Sequence, residues 1–141
     1  MSTEKKVITI NATVNVPVEK VWECWTTPEH IMQWNQASPD WHCPASSVDL
    51  KVGGKFSSTM AAKDGSFSFD FWGTYNDILE NELLMATLGD GRMWKTTFAS
   101  NGDVTEVVES FEAESQNPAE MQQAGWQAIL NSFKQYTENL Q

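Results

Sequence analysis

Basic residues are scarce. Nine Lys and Arg stand against nineteen Asp and Glu, for a formal net charge of −10. A chain of that sign is repelled by polyanions, which excludes nucleic acid and anionic membrane surfaces as partners. The acidic residues are scattered, so they read as solvated surface and not as a site. Cysteine and histidine are scarcer still: Cys24, Cys43, His30 and His42 are all there are. His42 and Cys43 adjoin, but no C-x-x-C or H-x-x-x-H spacing supports a zinc site, and no metal or other cofactor is expected. Long hydrophobic runs are missing. The stretch Met1 to Lys6 holds no apolar signal segment, and nothing approaches membrane-spanning length. The expectation is a cytoplasmic protein without membrane insertion, both thiols reduced. With no internal repeat, linker or low-complexity stretch, residues 1–141 are expected to form one domain.

Aromatic residues, by contrast, are abundant. Seven Trp and seven Phe are many for 141 residues. Such side chains fill wide interiors and also line small-molecule cavities, and both readings stay open.

The apolar pattern alternates through most of the chain. Ile8, Ile10, Ala12, Val14 and Val16 share one face of a strand over Val7 to Val16. Pro17 ends it and starts a helix through Thr26, with Val21, Trp22 and Trp25 at helical spacing. A second short helix runs from Glu29 to Trp34, with Ile31 and Trp34 inward. Asn35 to Ser46 is expected to be irregular, either a loop pinned by Trp34 and Trp41 or a lid over a pocket. Strands follow at Ser47–Lys51, Lys55–Ala62, Ser66–Ile78, Glu82–Leu88, Arg92–Ser100 and Asp103–Glu112. Gly53-Gly54, Asp64-Gly65, Glu80-Asn81, Gly89-Asp90-Gly91 and Asn101-Gly102 supply tight turns between them. Phe67, Phe69 and Phe71 align on one face, as do Trp94, Thr96 and Phe98, and Thr105, Val107, Glu109 and Phe111. Gly73 is expected to bulge or bend its strand.

The last stretch, Asn117 to Leu140, has a helical period. Met121, Ile129, Leu130, Phe133, Tyr136 and Leu140 form one apolar stripe, Asn117 is placed to cap it, and Pro118 suits the first helical position. Gly125 is explained either by close packing against something broad or by room for a ligand beside Trp126. Short turns make the sheet antiparallel, its apolar face must be buried, and only this helix is long enough to cover it.

Four segments carry a family resemblance. Val18 to Asn35, Val52-Gly-Gly-Lys-Phe56, Trp72-Gly-Thr-Tyr75, and Gly125-Trp126 before Ile129-Leu130 resemble, in order and spacing, the SRPBCC superfamily. More narrowly they resemble the branch named for the C-terminal domain of the heat-shock-protein-90 ATPase activator. The resemblance covers nearly the whole chain and implies an α+β helix-grip fold. That is a curved antiparallel sheet of about seven strands wrapped around a long C-terminal helix, with two short helices after the first strand and a cavity between sheet and helix. The superfamily holds lipid-transfer domains, plant pathogenesis-related proteins, polyketide cyclases and aromatases as well as the chaperone activator, so fold does not fix function. The N-terminal domain of the eukaryotic activator has no counterpart in this sequence, which weakens the inference of a chaperone partner.

The candidate cavity lining is Trp25, Trp34, Phe56, Met60, Phe69, Phe71, Trp94, Phe98, Glu109, Trp126, Leu130 and Phe133. Core packing is the default for each one; the excess of the set favours a pocket for a flat or apolar molecule. Glu109 is the one catalytic candidate: buried in an apolar cavity, its pKa rises and it can serve as general acid or base, unless a one-residue shift turns it to solvent. His30 has no catalytic partner and reads as structural, His42 as exposed, and Cys24 as a buried inert thiol. Arg92 either meets an acidic ligand at the cavity mouth or forms a surface ion pair. The leading expectation is a protein that binds a hydrophobic small molecule or lipid, as monomer or homodimer. The alternatives are a cyclase- or hydrolase-like enzyme using Glu109, and a co-chaperone.

Overall fold

The computed structural model describes residues 6–140. Its elements run β1 (Val7–Val14), α1 (Val18–Thr26), α2 (Pro28–Trp34), β2 (Trp41–Val48), β3 (Lys55–Ala62), β4 (Ser68–Leu79), β5 (Leu83–Leu88), β6 (Met93–Asn101), β7 (Val104–Glu112) and α3 (Ala119–Asn139). The seven strands form one antiparallel sheet in the order β1-β7-β6-β5-β4-β3-β2. It is the curled sheet and long closing helix of the expected fold class.

Alternation does most of this work. Every second residue of β1 and β7 is buried, including Ile8, Ile10, Val107 and Phe111. The turns are where glycine and asparagine announce them: Gly65, Gly91 and Gly102 sit at positive φ, as does Asn81 at 65°.

A helix packs against each edge strand of the sheet. On the β1 side, α3 reaches its backbone. Lys134 Nζ donates to the Thr13 carbonyl at 2.6 Å, Gln127 Nε2 to the Asn11 carbonyl at 3.2 Å, and the Asn15 amide donates to Glu138 Oε2 at 2.9 Å. At the other edge α2 packs against β2.

Five expectations need correction. The segment expected to be irregular holds a strand, for β2 spans Trp41–Val48 and not Ser47–Lys51. Pro44 disguised it. The ladder shifts register between His42 and Ala45, and on an edge strand a bulge accommodates a residue without an amide donor. Gly73 holds no bulge in β4. The shift there lies between Tyr75 and Asp77, and Gly73 is small because the Phe56 ring lies on it: a Cβ would meet that ring at 2.9 Å. Asn117 does not cap α3. Pro118 is the N-cap residue, and the Asn117 side chain donates to Glu114 Oε1 at 2.9 Å instead. The apolar stripe of α3 is shorter than its period suggests. Leu130 and Phe133 are buried, but Met121 is 61% and Leu140 43% exposed, while Gln122 and Thr137 take buried places. Phe67 and Phe69, expected to align inward with Phe71, are exposed where β4 begins.

Candidate functional site

The strands pair so that inward residues form rows across the sheet. Tyr75, Ala86, Trp94, Phe111 and Ile8 make one row across β4, β5, β6, β7 and β1. Leu84, Thr96, Glu109 and Ile10 make the next. The register of β7 therefore turns Glu109 inward, as the alternation required.

Under the N-terminal half of α3 these rows leave a cavity of about 340 Å³. Ten of the twelve expected residues line it: Trp25, Trp34, Phe56, Met60, Phe69, Phe71, Trp94, Glu109, Trp126 and Leu130. Phe98 and Phe133 do not. Phe98 packs edge-on against Trp22 and Trp25, and Phe133 edge-on against Trp25 and Trp34, with centroids 4.8–5.7 Å apart. They belong to a filled core. Trp126 forms the helix-side wall, stacked on Phe111 at 3.9 Å and edge-on to Phe71 at 5.5 Å. Among the lining residues Phe69 and Asn117 are exposed, which marks the mouth.

The lining also holds residues beyond that set, among them Ile31, Val48, Ser58, Tyr75, Gln122 and Ile129. Tyr75 was legible, since it continues the inward face of Phe71 at period two. Val48 lay inside the expected strand Ser47–Lys51, which gave no face for it, and is the last residue of β2. Nothing in the local sequence marks Gln122, a polar residue in an apolar stripe. Its side chain accepts from the Glu114 amide at 2.9 Å and donates to the Glu114 and Asn117 carbonyls at 3.1 and 2.8 Å. It ties the β7–α3 connection to the helix at one end of the cavity.

Glu109 is 6% exposed, and its Oε2 accepts a hydrogen bond from Trp94 Nε1 at 2.7 Å. Burial pushes its pKa up to about 7, a rise that the indole donor only partly offsets. A carboxyl poised there can give or take a proton near neutral pH. Arg92 lines the cavity but is engaged: Nε donates to Asp90 Oδ2 at 2.7 Å and Nη1 to the Glu112 carbonyl at 3.1 Å.

The remaining candidates lie elsewhere. His30 Nδ1 and the Tyr136 hydroxyl share a hydrogen bond of 2.6 Å, which ties α2 to α3, and His42 is exposed. Cys24 and Cys43 are buried, and burial pushes both thiols up, away from the reactive thiolate. Among the described residues no group of three or more His, Cys, Asp or Glu side chains is placed to hold a metal ion.

Residues 15–138 match the family model described as Activator of Hsp90 ATPase homolog 1-like protein. Among solved structures, an AHSA1-like protein from Aeromonas hydrophila is 45% identical with a TM-score of 0.90, over 96% of this chain and 94% of that one. A protein from Cytophaga hutchinsonii is 58% identical with a TM-score of 0.81, over 94% and 92%. One from Nitrosomonas europaea, at 18% identity and a TM-score of 0.81 over 99% and 98%, shares the fold. No curated protein matches.

Proposed function

The chain belongs to the Activator of Hsp90 ATPase homolog 1-like family of the SRPBCC superfamily, and from that premise we propose that it binds a small hydrophobic molecule, aromatic or lipid-like, between its sheet and α3. The observation that carries this reading is the cavity itself. A space of about 340 Å³ walled by Phe56, Phe71, Trp94 and Trp126, with one buried carboxyl, has the size and the mix of apolar wall and few polar groups typical of ligand sites. The reading takes residues 1–141 as one cytoplasmic domain; no helix among the described residues is long and apolar enough to cross a membrane.

Native mass spectrometry of the purified protein, followed by thermal shift with a panel of apolar probes and lipids, tests it. The expected result is a retained mass or a shift. A ligand at a hundred times its Kd stabilises by about 2.7 kcal/mol, and Ile129→Trp, which fills the cavity from α3, removes the effect. A clean apo mass with no shift from any probe would overturn the proposal. The same spectrum reports monomer or dimer.

A second reading has one observation in its favour: the carboxyl of Glu109, held near pKa 7 beside Trp94 in the same cavity. In that reading Glu109 is the general acid or base of a cyclase- or hydrolase-like reaction. Glu109→Gln then leaves binding intact and stops turnover of any bound substrate that the wild type converts; conversion at the wild-type rate by the variant removes it.

A further inference from the structure

Several polar groups around the cavity are already engaged by the protein, although the Tyr75 hydroxyl of the lining has no hydrogen-bond partner among the described residues. Arg92, the basic side chain of the lining, is taken by Asp90 and the Glu112 carbonyl. Gln122 is taken by the backbone of Glu114 and Asn117. Glu114 Oε1 accepts from the Asn117 amide and side chain, and the Ser58 hydroxyl faces that of Ser46 at 3.2 Å. Glu109 is different. A carboxylate has room for about four donors, and among the described residues only Trp94 supplies one. From the flanking strands Glu109 is faced by Thr96 and Ile10, neither of them charged. The cavity thus presents an underused carboxyl, and the one basic side chain of its lining, Arg92, is already paired with Asp90.

The surroundings favour one sign of ligand. An entering carboxylate would be desolvated beside Glu109 and Glu114, in a chain of net charge −10, and would have to compete with Asp90 for Arg92. An ammonium or N–H group would meet an acceptor and the faces of Trp94, Trp126 and Phe71, which also attract cations. We propose that the molecule this cavity accepts is a flat hydrophobic one carrying a hydrogen-bond donor, an amine foremost, which it delivers to Glu109, and that fatty acids and other free carboxylates are rejected. The inference rests on the reading of the cavity as a binding site. Trp94 acts in it as a positioning residue, holding one carboxyl oxygen so that the rest of the group faces the ligand. A bound ammonium also favours the ionised form of Glu109, whose proton burial otherwise retains. Tyr75, Arg92 and Glu114 are the other titratable groups of the lining.

Three probes on one ring system separate the possibilities: 2-naphthylmethylamine, 2-methylnaphthalene and 2-naphthoic acid. Each is titrated by calorimetry and followed through the Trp94 indole ¹H–¹⁵N signal, which reports on Glu109 directly. The amine is expected to bind at least about tenfold tighter than the hydrocarbon, as suits a charge-assisted hydrogen bond, and the acid weakest of the three. In E109Q the amine and the hydrocarbon are expected to converge. An acid that binds as tightly as the amine while moving the Trp94 signal would overturn the inference and leave cavity binding standing. Three equal affinities would do the same. If none of the probes moves the signal or releases heat at millimolar concentration, the binding reading falls and the inference falls with it. The ranking is read on the wild-type protein, so it does not depend on E109Q folding.

Discussion

The two halves of the space beneath α3 are built from the same residue types and end in opposite states. Towards the C-terminal end of the helix, Trp22, Trp25, Trp34, Phe98 and Phe133 meet mostly edge to face and pack directly on one another. Towards the N-terminal end, Phe56, Phe71, Tyr75, Trp94 and Trp126 also touch one another but stand around a space of about 340 Å³. Trp25 and Trp34 are the partition, since they belong to the filled cluster and line the cavity as well. Aromatic content therefore does not decide between core and pocket; what the facing element inserts does. The filled half receives Phe133 from α3 together with α1 and α2, which Trp34 Nε1 and the Cys24 carbonyl lock together at 3.0 Å. Over the open half, α3 brings Trp126 to one wall and has Gly125 beside it, where a Cβ would meet nothing within 4 Å beyond its chain neighbours and the helix's own backbone.

Substitution can break that comparison. The largest effect is expected at Phe133, fully buried among rings. Phe133→Ala should cost about 3–5 kcal/mol in chemical denaturation, whereas Phe71→Ala, at a partly exposed cavity wall, should cost less than half as much. Equal losses would mean that the two halves are packed alike.

Glu109 comes next, because its burial opposes stability. The folded carboxyl keeps its proton up to about pH 7, while the unfolded chain loses it near 4.5. Folded molecules bind more protons across that window, so this group's contribution to stability falls as pH rises from about 4.5 to 7 and levels off above. Glu109→Gln should remove that slope and leave the variant more stable than wild type at pH 8, by an amount on the order of 3 kcal/mol at most. Denaturation midpoints of both proteins at pH 4.5 and 8 check it. A parallel pH dependence in the two proteins would show that Glu109 is not desolvated.

Smaller effects belong to the joints. Tyr136→Phe removes the bond to His30 and should cost about 1 kcal/mol, lost from the filled half alone, with probe binding unchanged. Gly125→Ala should stabilise by up to about 1 kcal/mol through helix propensity, since nothing stands where the methyl group would go. A destabilised Gly125→Ala variant would show that the helix packs closely there after all. That would restore the packing explanation of this glycine, which the open space around it now argues against.

The sequence by itself determined the strands whose alternation is unbroken, the turns, and the helix that closes the sheet. It also determined the side of β7 on which Glu109 lies. These are local matters: a period of two or 3.6 and the φ that glycine or asparagine permits are written in neighbouring residues. Where local signals conflict with the neighbourhood, the sequence misled. Pro44 hid β2 because only its place at a bulged edge makes a proline tolerable there. Gly73 signalled a bulge when its reason was the Phe56 ring, a residue on another strand. Met121 fits the stripe of α3 but projects beyond the sheet's reach, and Gln122 replaces it because the β7–α3 connection needs its hydrogen bonds. Tertiary structure alone decided that Phe98 and Phe133 are core while Phe56, Trp94 and Trp126 surround a space, because a void depends on the distance between surfaces brought together from remote parts of the chain.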